Sequence, residues 1–155
     1  MGREFASAIA RWCHLLDVPF KPVLVAICDT NPALFGWYQQ HFPTIKIALV
    51  ENGSDWVPSL LRKLEAVYGK MPQEFPEHPV TAFKRNLYVH PFHEENPVGL
   101  VKLLGADHVI FGSDYPHPEG MSDPISFVDE LEGLPDEDVR RVMGGNMVEL
   151  LGLAS

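Results

Sequence analysis

The sequence predicts an α/β domain built on a parallel sheet. Short unbroken apolar runs, of the kind that suit strands buried on both faces, alternate with segments of helical periodicity. Two of those runs end abruptly in polar residues, at Val50-Glu51 and at Phe111-Gly112. Strands that alternate with helices imply right-handed βαβ units.

The first helix is expected over residues 4–16, where Phe5, Ile9, Trp12, Cys13 and Leu16 recur at steps of three and four. Pro19 and Pro22 end it, and residues 23–27 (VLVAI) form the first apolar run. Asn31-Pro32 opens a second helix that reaches about His41, with proline in its first turn. Residues 45–50 (IKIALV) are the second strand, ended by Glu51-Asn52-Gly53. Ser54 or Asp55 can cap a third helix whose stripe is Trp56, Val57, Leu60, Leu61, Leu64 and Tyr68. Pro58 falls in its first turn, where proline is tolerated.

Residues 71–79 carry three prolines and read as a loop. A third strand is expected over residues 86–90. Pro97 opens a helix through Leu104, with Gly105 as its C-cap. The fourth strand is placed at residues 108–111 and a helical piece at 127–131. A last helix starts at Pro135, its acids Asp136, Glu137 and Asp138 well placed against the dipole. Gly144 and Gly145 inside it point to close packing or a local break.

Composition narrows the function classes. The 155 residues fit a single domain spanning 1–155, with 46% apolar and 21% charged residues as in ordinary globular chains. The net charge is −9, and residues 79–155 hold 13 acids against 5 bases. Such a surface repels phosphate backbones, so no nucleic-acid partner is expected. Cys13 and Cys28 are too few for a disulfide framework and lack metal-ligand spacing. No apolar run reaches about 18 residues and no signal pattern opens the chain, so a soluble cytoplasmic protein without membrane contact is expected.

The two polar strand ends are the candidate site. In parallel α/β folds ligands bind beyond the carboxyl ends of the strands. Glu51 and Asp114 stand there on rigid supports, although either could instead cap a helix or satisfy loop amides. His90 and His93 form a further pair that suits a structural or surface role better than a place in the pocket. His14, His41, His78 and His108 have no supporting constellation.

The stretch FGSDYPHPEG at residues 111–120 resembles the end of the eighth strand in the amidohydrolase-related TIM-barrel family. That family includes aminocarboxymuconate-semialdehyde decarboxylase and related hydrolases, decarboxylases and hydratases. FPTIKI at 42–47 resembles the family's lead into strand six, and ENGSDW at 51–56 its polar end in one subgroup. Residues 136–153, with Asn146 followed by LLGL at 150–153, resemble the closing helix. The resemblance covers about residues 20–155.

It implies a parallel (β/α) half-barrel, strands five to eight, since a full barrel needs eight strands and about 250 residues. A flavodoxin-like doubly wound sheet would also fit the length but lacks a phosphate-binding glycine loop. The family's His-x-His pair is absent, and Cys28-Asp29 and Glu51 stand where many members carry histidines. By resemblance Asp114 ligates the metal and carries a proton, while His117, Glu119 and His93, with Glu94 beside it, line the substrate pocket. By the same resemblance Glu51 either replaces the missing histidine as an oxygen ligand or accepts a hydrogen bond from the substrate. The cofactor implied is a divalent ion, zinc first, in a complete family member. None is expected on the isolated chain, because a catalytic zinc wants three protein ligands.

The function implied is metal-dependent hydrolysis, or the related decarboxylation, of a small carboxylated or cyclic molecule within a complete barrel. A non-catalytic remnant or partner subunit is the alternative. Open sheet edges imply either a homo-oligomer or pairing with an N-terminal half-barrel.

Overall fold

The computed structural model describes residues 26–28, 45–118 and 120–153. Three parallel strands, β1 (Ala26–Cys28), β2 (Lys46–Leu49) and β3 (Leu87–Val89), lie side by side in chain order. Ile27 faces Ile47 across β1 and β2, and Leu49 faces Val89 across β2 and β3. Beyond β3 the same direction continues through a single parallel bridge, Val89 to Val109, where the Ile110 amide donates to the Val89 carbonyl at 3.0 Å. The expected helices at 4–16 and 31–41, and the start of the first strand, lie outside the described residues.

The expected fourth strand is thus cut to a bridge. Ala106–His108 winds into a 3-10 turn closed by the His108 and Val109 amides. Past the bridge, the Phe111 amide turns away to the Val142 carbonyl at 3.1 Å. Backbone groups satisfied within a turn or by a helix end cannot also extend a ladder.

Both faces of the sheet are buried, as unbroken apolar runs require. One face puts Ile47, Leu49, Leu87 and Val89 in a core shared with Phe127, Leu131 and Val142. The other groups Ala48, Tyr88 and Ile110 with Leu150. Helix α1 (Val57–Lys70) lays Val57 and Leu61 on the larger core, as its stripe predicts. Its expected cap differs. Trp56 occupies the N-cap position without a side-chain capping bond, and the Ser54 hydroxyl is taken by Glu95 instead.

The proline-rich stretch is more structured than expected. After a 3-10 turn at Pro72–Glu74, helix α2 (Pro79–Asn86) runs directly into β3. Pro79 starts it because the first turn needs no amide donor, and Phe83 anchors it in the core. Asn86 closes α2 rather than opening the strand, its side-chain amide donating to the buried Ile45 carbonyl at 2.7 Å.

Helix α3 (Pro97–Leu104) forms as predicted, with the Asn96 side chain capping the Gly99 amide and Gly105 leaving at φ 98. Pro124–Leu131 is a 3-10 helix, longer at its start than expected, which buries Phe127 and Leu131. The last helix has the break its glycines suggest: α4 (Asp136–Arg140) and α5 (Asn146–Leu150) flank a π-turn at Arg141–Gly145, with Gly144 out of helical conformation. Asn146 is 1% exposed and donates to the carbonyls of Ala106 and Val109 at 2.6 and 2.7 Å. The closing helix thereby fixes the backbone that leads to the 111–120 loop. Among the described residues no helix is long and apolar enough to cross a membrane.

Candidate active site

The carboxyl ends of β2, β3 and the Val109 segment turn outward as three adjacent loops. Parallel strands with one right-handed sense bring these ends to the same edge of the sheet. Each loop is held by a specific tie to its neighbour.

Glu95 ties the first two. Its carboxylate accepts the Ser54 amide at 2.7 Å, the Ser54 hydroxyl at 2.7 Å and the Phe92 amide at 3.0 Å. The Asp55 amide adds a longer bond at 3.3 Å. Burial alone would raise this carboxyl's pKa, but the Ser54 hydroxyl and the three amides outweigh it and hold it below the ordinary value. Gly53 has φ +59 and packs so closely that a Cβ there would collide with Glu95 Oε1 and the Phe92 ring. That position needs glycine both for its conformation and for the space.

His90 ties the second loop to the third. It follows β3 directly, is 3% exposed, and places Nε2 at 2.8 Å from the Gly112 carbonyl. Burial pushes its pKa down, against the Gly112 bond and the nearby carboxylates of Asp114, Glu95 and Glu51. The ring is therefore neutral at ordinary pH. Phe92 meets it edge to face at 5.9 Å.

The third loop carries Asp114 at φ 53, and Glu51 in the first loop sits at φ 59. These two are the non-glycine residues in left-handed conformation among the described residues. Such conformations cost about 1–2 kcal/mol for an L-residue and collect at functional sites. The third loop closes on itself: the His117 amide donates to the Asp114 carbonyl at 2.8 Å, and the Met121 amide to the Ser113 carbonyl at 2.9 Å.

A cleft of about 170 Å³ opens between the second and third loops, lined by His90, Phe92, His93, Glu94, Ser113 and Asp114 among others. The structure thus brings Asp114 and His93 to one cleft, with His93 Nδ1 3.3 Å from the Glu94 carboxylate. Glu51 and His117 are exposed and lie outside its lining. Glu119 is outside the described residues. His90 and Glu95 were not singled out as site residues by the sequence. His90 was noted only as half of a His90/His93 pair, whereas Glu95 carries no local signal, its main partner lying 41 residues away.

Chemically, the cleft offers a carboxylate on a fixed turn, a half-buried imidazole and a second carboxylate. These can bind polar groups and move a proton. They do not by themselves make a site for a divalent ion, because among the described residues no three His, Cys, Asp or Glu side chains converge on one point.

A family model described as amidohydrolase matches residues 5–153. The 2-amino-3-carboxymuconate-6-semialdehyde decarboxylase of Dictyostelium discoideum is 27% identical over 146 residues, 90% of this chain and 39% of that protein. A solved amidohydrolase from Mycobacterium avium subsp. paratuberculosis superposes with TM-score 0.71 at 38% identity, over 77% of this chain and 31% of its own. A dihydroxybenzoic acid decarboxylase from Polaromonas sp. JS666, solved with bound manganese and 2-nitroresorcinol, shares the fold with TM-score 0.57 at 19% identity. The match covers 74% of this chain and 36% of that one. The chain therefore spans 31–39% of the length of these relatives, and from the family model it belongs to the amidohydrolase family.

Proposed function

We propose that this chain supplies the second half, strands five to eight, of an amidohydrolase-type (β/α) barrel. The complete barrel would hydrolyse, or decarboxylate without oxidation, a small carboxylated or cyclic molecule at the mouth where Asp114 stands. Three parallel strands in chain order, continued by the Val109 bridge, are what half of such a barrel requires. Pairing with an N-terminal half, or with further copies of this chain, would close the open edges.

The observation that carries the reading is Asp114 itself. A carboxylate at φ 53, at a strand's carboxyl end and on a cleft, supports a chemical role over a purely structural one. In decarboxylation the carbon that loses CO₂ must gain a proton, and in hydrolysis the attacking water must lose one. One carboxyl group at that position serves either need. His93 and Glu94 on the opposite wall would orient the substrate's polar groups, and Glu51, His117 and Glu119 would meet its outer parts. The family's divalent ion, manganese in the Polaromonas relative, would polarise the substrate. Its ligands would have to come in part from outside the described residues.

The test is turnover of the full chain, fractionated by size, with added Mn²⁺ or Zn²⁺. The substrates are 2-amino-3-carboxymuconate 6-semialdehyde, dihydroxybenzoates and simple amides and esters. Turnover that falls by about 10²–10⁴ in Asp114→Asn supports the reading, the range expected for a lost acid–base group. Turnover that Asp114→Asn leaves intact refutes it.

A further inference from the structure

We propose that His90 is a positioning residue for Asp114, acting through a directed hydrogen bond from its ring to the Gly112 carbonyl. The proposal rests on the reading of Asp114 given above. It names a role for a residue that neither the family comparison nor the sequence motif assigns.

Three observations carry it. First, a carbonyl can only accept, so Nε2, at 2.8 Å from the Gly112 oxygen, must bear the proton. Nδ1 then holds a bare lone pair, and it is buried with no hydrogen-bond partner among the described residues. An orphaned buried acceptor costs about as much as one neutral hydrogen bond returns. An apolar ring of similar size would fill the same space without that cost but would leave the Gly112 carbonyl unpaired. The imidazole therefore contributes little net stability, and what it adds is direction.

Second, Gly112 is seated on the ring. A Cβ there would lie 3.0 Å from both His90 Cε1 and Nε2, tighter than ordinary side-chain packing. Ring and peptide interlock, so neither can slide without the other.

Third, Asp114 is two residues beyond that contact, in a turn whose far end is already closed. The His117 and Met121 amides fasten the Asp114 and Ser113 carbonyls, and the Gly120 backbone packs against the Asp114 carbonyl. The bond from His90 fastens the near end, and it does so from β3, a strand with buried side chains. The left-handed Asp114 is thus referred to the sheet rather than to its own loop alone.

Two variants of the full chain test this. His90→Leu removes the donor. His90→Gln can place an amide N–H near the position of Nε2 and so restore it. In the wild-type protein, ¹⁵N NMR of the ring should show the Nε2–H tautomer at neutral pH. An Nδ1–H tautomer overturns the proposal without recourse to any variant.

Amide hydrogen exchange supplies the second reading. In His90→Leu the amides of His117 and Met121 should exchange about five- to tenfold faster, the factor one net hydrogen bond is worth. The Ile110 amide, bonded across the sheet to Val89, should keep its rate. His90→Gln should bring both loop amides back towards the wild-type rates. Equal acceleration at Ile110 would make His90 a mere core residue, and no acceleration at all would refute the tie.

Where the protein turns a substrate over, His90→Leu should lower kcat about tenfold with KM unchanged, as expected for a lost transition-state alignment, and His90→Gln should recover it. Turnover that depends on Asp114 but ignores His90 defeats this inference alone. Turnover that ignores Asp114 defeats the proposed function instead, and for a wild-type chain with no turnover the tautomer and exchange results still decide the positioning role.

Discussion

Replacing Glu95 by alanine removes the carboxylate that joins the loops after β2 and β3. Ser54 is only 5% exposed, so its amide and hydroxyl, both 2.7 Å from Glu95, would lose their partner with little access to water. The Asp55 and Phe92 amides belong to exposed residues and recover water on release. Bonds to a charged group contribute about 1.5–3 kcal/mol each, and the two buried ones set a loss of about 3 kcal/mol. In a domain of this size that is a fall in Tm of roughly 6–12 °C. Glu95→Gln keeps one acceptor oxygen and should lose about 1 kcal/mol.

The effect must also depend on pH, with a definite sign. The folded carboxyl has a pKa below its ordinary 4.5, so its stabilisation is complete above that value and is lost as pH falls through the folded one. Urea unfolding of wild type and Glu95→Gln should therefore diverge at pH 7 and converge in acid. A loss below about 1 kcal/mol in Glu95→Ala, against the roughly 3 expected, would refute the clamp. So would a wild-type advantage over Glu95→Gln that persists undiminished in acid.

Four other outcomes are expected. Asn146→Ala should cost about 3 kcal/mol by chemical denaturation, since it strands the Ala106 and Val109 carbonyls that the side chain now satisfies; a loss under about 1 kcal/mol would speak against that brace. Burial lowers the pKa of both His90 and His108, so unfolding should bind protons first and stability should fall as pH drops below 6.5. The slope is at most about 1.4 kcal/mol per pH unit for each ring. A urea midpoint that stays flat or rises between pH 7.5 and 5.5 would contradict it. Elemental analysis of the purified chain should find no stoichiometric Zn²⁺ or Mn²⁺; one tightly held ion, lost in Asp114→Ala, would show a site completed from outside the described residues. Light scattering at several concentrations should reveal a dimer or larger species, because the Val109 segment adds only one bridge beyond β3; a monomer throughout would defeat the expectation.

Much of the sheet was legible because its strands are unbroken apolar runs, and IKIALV at 45–50 has no other economical reading. The segment at 108–111 looked equally good, but the 3-10 turn at Ala106–His108 and the pull of the Val142 carbonyl leave it one bridge. Neither constraint is visible locally. Helix α2 was hidden by the prolines before it, since Pro79 marks a helix start as readily as a loop. At the site, Glu51 and Asp114 announced themselves as charges that end apolar runs. The ties between loops did not. Glu95 reaches Ser54 across 41 residues and His90 reaches Gly112 across 22, and no spacing rule spans such gaps.

Those two ties bear on how a complete site could be assembled. Glu95 fixes the loop after β2 to the loop after β3, and His90 fixes the end of β3 to the turn that carries Asp114. The three loops are therefore referenced to one another within this chain. Both ties use a buried or half-buried polar group facing backbone, which is stiffer than contact between two long side chains. Preorganisation of this kind lowers the cost of bringing in the remaining groups, because only their own freedom is lost on docking. An N-terminal half would then add donors to an edge already in position rather than reshape it. In that case removing either tie should weaken chemistry at Asp114 more than it weakens association of the halves. The Glu95→Gln and His90→Leu proteins, compared side by side in the turnover and light-scattering measurements, separate those two effects.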